Sequence, residues 1–161
     1  EIASVKNRWP DAADYLKVVI AKPELLTNLS HWSALRSGSA KATLVLNPWS
    51  FSNAHEFSRE IAEAGRRRWF PGSFATPRGV LVHELGHLVL RYYERMSPAE
   101  WDRILSAIKG LSPNGISRAA RRSQAEALAD AFVVAHLTHG VPKNEYAAAL
   151  QAILDELAVN P

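Results

Sequence analysis

The 161-residue sequence contains no cysteine. Disulfides and thiolate metal ligands are therefore excluded, and any bound metal must be held by His, Asp or Glu. Cysteine-free composition is compatible with a reducing compartment. Long apolar runs are also missing: none approaches the roughly 20 residues of a membrane helix, so no membrane span is expected. The chain lacks an initial Met and a start in which a basic stretch precedes an apolar core. It is accordingly expected to be a processed chain or a domain cut from a longer protein, with localisation left open. Internal repeats and low-complexity tracts are absent too.

The remaining composition is that of a folded protein. Hydrophobic residues make up 47% and charged residues 22%, which suits one domain over residues 1–161 with one core. The net charge of +3 owes much to two clusters, Arg66-Arg67-Arg68 and Arg118, Arg121 and Arg122. A solvated face is the plain reading of a charge this small. A basic patch can also attract nucleic acid or acidic peptide.

The periodicity predicts a mostly helical α+β chain with a small sheet. Residues 11–21 read as a helix with Tyr15, Val18 and Val19 on one side, and residues 24–35 as another short one around Leu25, Leu26 and Leu29. "RSGSA", residues 36–40, signals a turn. "KATLVLN" then reads as a strand stopped by Asn47-Pro48. Ser52 or Asn53 can cap a helix over 54–68. Thr76-Pro77 is an N-cap followed by proline at the first helical position, starting a helix over about 77–95. Ser97-Pro98 repeats that signal for a helix closed by Gly110. A long helix is expected over 117–139 and a last one over 143–158.

Within "VLVHELGHLVLRYYERM", residues 80–96, His83 and His87 stand four apart. On a helix they share one face and can aim two imidazoles at one ion. Glu84 lies roughly 100° round the helix from His83. Its carboxylate can take a proton from a metal-bound water without being a ligand. Leu81, Leu85, Leu88, Val89, Tyr92 and Met96 cluster on the side facing away from the histidines. Gly86 is costly inside a helix and makes sense where a neighbouring segment or substrate must approach closely. A His-Glu-x-x-His match arises by accident in roughly one or two of a hundred such chains, so the motif needs support. "AHEF" at His55-Glu56 begins alike, but Arg59 occupies the second histidine's place.

Support comes from "SQAEALADAF". Glu126 and Asp130 share a helical face that Val133 and Leu137 continue, so the stripe looks inward. Two acids leading an apolar stripe repel each other and need a partner. Glu126 can be the third ligand, leaving a water position open. Asp130 can accept the second N–H of a ligand histidine and fix its tautomer. Glu94 and Glu100 are weaker candidates for the third ligand.

"HELGH" followed by "ISRAARRSQAEALADAF" resembles the zincin metallopeptidases whose third ligand is a glutamate. More narrowly, it is similar to the small zincin domains associated with bacteriophage head-morphogenesis proteins and bacterial toxins, which are similar to the catalytic domain of anthrax lethal factor. The resemblance covers about residues 42–135, with "LVLNP" as a weak match to the family's strand before the motif. It implies a zincin-like fold, a Zn2+ ion on His83, His87 and Glu126, Glu84 as general base, and Asp130 in place of the family's frequent glutamate. It implies a protein or peptide substrate. The pattern departs at Ala119, where the family tends to have a tyrosine thought to hydrogen-bond the oxyanion. His136, His139, Tyr146 and Arg118 are the possible substitutes. Two other functions stay open: a zinc-binding domain without catalysis that stabilises or recruits a partner, which Ala119 favours, and a nucleic-acid-binding module, which only composition favours.

Overall fold

The computed structural model describes residues 1–14, 16–20, 33–37, 42–46 and 52–158. Helix dominates them. In chain order the elements are α1 (Ile2–Arg8), α2 (Pro10–Asp14), β1 (Leu16–Ile20), β2 (Ser33–Ser37), β3 (Ala42–Leu46), α3 (Ala54–Arg66), α4 (Pro77–Met96), α5 (Pro98–Ile108), α6 (Gln124–Leu137) and α7 (Glu145–Leu157). Short 3-10 turns cover Gly72–Phe74 and Ala119–Arg121.

The strands form one sheet in the order β1-β3-β2. β1 runs parallel to β3, with Leu16 opposite Ala42, and β2 runs antiparallel to it, with Ser33 opposite Leu46. β3, from the expected "KATLVLN" strand, is therefore central and has no free edge. Among the described strands β2 stands at an edge, and it lies beside α4. The helix expected over 11–21 is corrected: α2 stops at Asp14 and Leu16–Ile20 is a strand. Lys17-Val18-Val19-Ile20 carries three β-branched side chains in a row, stiff at χ1 and better suited to a pleated surface. The tail of the helix expected over 24–35, and Arg36-Ser37 of the expected turn, belong to β2. Residues 24–32, with Leu25, Leu26 and Leu29, and residues 38–40 lie outside the described residues.

Helix starts follow their caps. The Thr76 hydroxyl accepts from the Gly79 amide at 3.0 Å, and Pro77 opens α4. The Asn53 side chain accepts from Glu56 at the start of α3. The single helix expected over 117–139 is divided. Ser117 turns its hydroxyl inward and caps Ala120 at 2.9 Å, which holds a 3-10 turn. Ser123 then caps a fresh helix by accepting from the Glu126 amide at 3.2 Å.

The core forms where α4 and α6 cross and α7 covers α6. Val82, Leu85, Leu88 and Val89 of α4 meet Leu128, Phe132 and Val133 of α6, all at most 2% exposed. Each such side chain contributes about 1.5–3 kcal/mol by leaving water. The crossing is close at Gly86. A methyl group there would sit 3.0 Å from the Cβ and Cγ of Phe132. Trp9 packs on the same Phe132, ring centroids 5.5 Å apart. Met96, expected on the apolar face, is instead 61% exposed, at the last residue of α4.

α3 ends unusually. The Trp69 amide donates to the Ala64 carbonyl and the Arg68 amide to the Gly65 carbonyl, both at 2.9 Å. This is the Schellman arrangement, whose left-handed residue is most often glycine. Here it is Arg68, with φ of 60°, at a cost of about 1 kcal/mol. Arg68→Gly is expected to stabilise the fold by about 0.5–1 kcal/mol, raising the melting temperature by about 1–4 °C for a chain of this size. A thermal melt followed by circular dichroism checks this, and an unchanged or lower midpoint contradicts it.

Candidate metal centre

α4 presents His83 and His87 one turn apart, and the α4–α6 crossing sets Glu126 opposite them. The Nε2 atoms of the two histidines are 3.1 Å apart. Glu126 Oε2 lies 3.6 Å from His83 Nε2, and its Oε1 lies 3.5 Å from His87 Nε2. One ligand atom from each residue falls within 4.8 Å of the other two, close enough to hold a metal ion. Two donors bound tetrahedrally at about 2.0–2.1 Å from one ion stand ~3.3 Å apart, so the observed spacing fits one ion with little movement. Side-chain exposure rises from 12% at His83 through 22% at His87 to 36% at Glu126. The centre is therefore walled on the His83 side and open on the Glu126 side, where water or a substrate can enter.

Asp130 fixes the walled side. It is wholly buried, and its Oδ1 accepts from His83 Nδ1 at 2.8 Å. Its Oδ2 accepts a hydrogen bond from the Ser117 hydroxyl. With Nδ1 committed as donor, neutral His83 turns its Nε2 lone pair toward His87 and Glu126, the tautomer a metal requires. Phe70 closes over the His83 ring at a centroid distance of 5.8 Å. Glu84, directly after His83, is only 7% exposed, and its charge acts on His83.

The electrostatics suit a cation. Burial opposes protonation of His83, but its hydrogen bond to Asp130 and the charges of Asp130, Glu84 and Glu126 outweigh it and raise its pKa above the ordinary 6.5. The hydrogen-bonding His87 ring holds Glu126 below the usual carboxylate range against partial burial, helped by the charges of His83, His87 and Arg122.

The other sequence candidates lie elsewhere. His136 gives its Nε2 to Glu1 at 3.1 Å and stacks on Phe132. It stands ten residues beyond Glu126, roughly 15 Å along α6. His139 follows the end of α6. Tyr146 is buried and lines a separate cleft with Asp102, Lys109, Arg121 and Gln124, which none of the three ligands lines. Arg118 is exposed and its amide donates to the Arg68 carbonyl. Glu94 pairs with Arg91 at 2.6 Å, and Glu100 is a half-buried first-turn residue of α5. Sequence reasoning missed Ser117 and Phe70. Nothing local marks either, since each acts on a residue from a distant segment.

No family model matches the chain, and neither does any curated protein or solved structure.

Asp130→Asn is expected to lower metal affinity about 10- to 100-fold, measured by competition with a chromophoric chelator. In the metal-free protein, the raised His83 pKa stabilises the fold fully below the ordinary 6.5 and progressively less as pH rises through the raised value. Glu126 acts oppositely: its contribution is present above the ordinary 4.5 and fades as pH falls through its lowered value. Denaturant titrations across pH are expected to show stability declining above 6.5, with the decline flattened in Asp130→Asn. An equal decline in that variant would contradict the assignment to His83.

Proposed function

We propose that this chain is a zinc-dependent endopeptidase of the glutamate-third-ligand zincin type, with an α+β zincin-like fold. The observation that carries this reading is the convergence of His83, His87 and Glu126 with Asp130 behind His83. Two imidazoles and one carboxylate, with an open side, form the donor set of a catalytic zinc site. A zinc ion held there supplies Lewis acidity, polarising a peptide carbonyl and lowering the pKa of water to near 7.

The chain's own residues do the rest. Asp130 keeps the His83 ring in register. Glu126 stays ionised. Glu84, adjacent to His83 on the same helix and shielded from solvent, takes the water proton and passes it to the leaving amine. β2, an edge strand among the described residues and packed beside α4, is where an extended peptide can add by strand pairing.

A second reading, a zinc-binding domain without catalysis, is favoured by Ala119. It opens the 3-10 turn and brings no hydroxyl to an oxyanion. Loss of one such donor typically costs about 100- to 1,000-fold. Of the four substitutes, His136 and Tyr146 are engaged elsewhere, and Arg118 belongs to the arginine cluster whose Arg122 acts on Glu126.

Wild type is expected to bind zinc and cleave unfolded protein or peptide substrates. Glu84→Gln is expected to keep its zinc and lose about 100- to 10,000-fold in turnover. Metal analysis and mass spectrometry of digests check both. Zinc bound with no cleavage by wild type favours the second reading, and no zinc at all sinks both.

A further inference from the structure

We infer that Arg68, Arg118 and Arg122, brought together beside Trp69 next to the metal centre, form a subsite for acidic side chains of a peptide substrate. The inference rests on the peptidase reading and names the substrate class.

Two basic runs about fifty residues apart in sequence meet here. The Arg118 amide donates to the Arg68 carbonyl at 2.6 Å. The Arg122 guanidinium lies over the Trp69 ring, 4.4 Å from its centroid. Trp69 is 39% exposed, one of few large apolar side chains so open to solvent among the described residues. Its neighbour Phe70 lies against His83, and Arg122, just ahead of the extended Ser123 cap of α6, acts on Glu126 through its charge. The cluster therefore borders the centre.

These guanidinium groups are not spent on the fold. Arg66 and Arg67 both bond the Glu63 carboxylate, at 2.5 and 2.7 Å. Arg68, Arg118, Arg121 and Arg122 are exposed and form no ion pair among the described residues. The charges of Arg68, Arg118 and Arg122 beside a site built for a dication repel one another and the ion, so their gathering works against metal binding. Arg68 adds backbone strain where glycine would fit, and strain of this kind collects at functional sites.

An acidic peptide resolves all three observations. A carboxylate can take a bidentate fork from an arginine, and Trp69 holds Arg122 in place by cation–π contact.

The test uses the zinc-loaded full chain carrying Glu84→Gln, which binds without turnover. Its probes are a fluorescein-labelled glutamate-rich peptide and a twin with glutamine at every glutamate, followed by anisotropy. The glutamate peptide is expected to bind about tenfold tighter at low salt, with the preference shrinking at high salt. Arg68→Gln with Arg122→Gln is expected to cut it to about twofold or less. Arg103→Gln, whose guanidinium pairs with Glu156, is expected to leave it intact. Melting curves show that each variant folds, and Arg68→Gly repeats the loss on a stabilised backbone. Equal affinity for the twins, or a preference that survives the double substitution, overturns the inference. So does single-stranded DNA displacing the glutamate peptide at lower concentration, which would make the cluster a nucleic-acid surface. Wild type that cleaves both twins equally refutes the subsite alone. Discrimination in binding without cleavage by wild type refutes the peptidase reading and keeps the acidic docking site.

Discussion

Everything at the metal centre depends on how closely α4 and α6 approach at Gly86 and Phe132. Neither helix holds a complete site. α4 contributes two imidazoles, and α6 contributes Glu126 and, one turn on, Asp130. At the crossing the glycine leaves no side chain between the backbone of α4 and Phe132. Interiors pack without slack, so even one added methyl group is felt along both helices. Phe132 in turn is held by Trp9 and His136. The N-terminal helices thereby brace the crossing from behind, and apolar packing fixes polar geometry that hydrogen bonds alone would leave loose.

A second layer converts that proximity into chemistry. Asp130 is an acid with no exposure, tolerable because each carboxylate oxygen has a donor: His83 on one side and Ser117 on the other. Buried polar groups that are fully satisfied rigidify their surroundings. Ser117 does double duty. Its hydroxyl donates to Asp130 and accepts from Ala120, tying the orientation of His83 to the backbone turn before α6. The same turn carries Arg118, so the metal centre and the arginine cluster share one structural support.

What could be read from the sequence was what is local. Thr76-Pro77 and Ser97-Pro98 mark helix starts because a cap and a proline act within one turn. The four-residue spacings of His83 with His87 and of Glu126 with Asp130 are likewise properties of a single helix. Illegible features join segments remote in the chain. Leu16–Ile20 is a strand because β3 pairs with it, a contact invisible to periodicity over 11–21. The helix expected over 117–139 breaks because Ser117 spends its hydroxyl on Asp130. Arg68 and Arg118 look like separate charge runs until the Schellman turn and the 3-10 turn are brought together.

Glu126 occupies the third position of α6, and its own amide is bonded to the Ser123 cap. A glutamate there commonly reaches back to close a capping box. This one faces the histidines instead, so the first turn of α6 gives up one of its own fastenings to the site. First turns fray most readily, and here the fraying segment is itself a ligand arm. Metal occupancy and order at the start of α6 must then rise and fall together: an ion that grips Glu126 also acts as the clasp on that helix end. The latch is reciprocal, since whatever loosens residues 123–126 opens the three-ligand cluster on its solvent-exposed side.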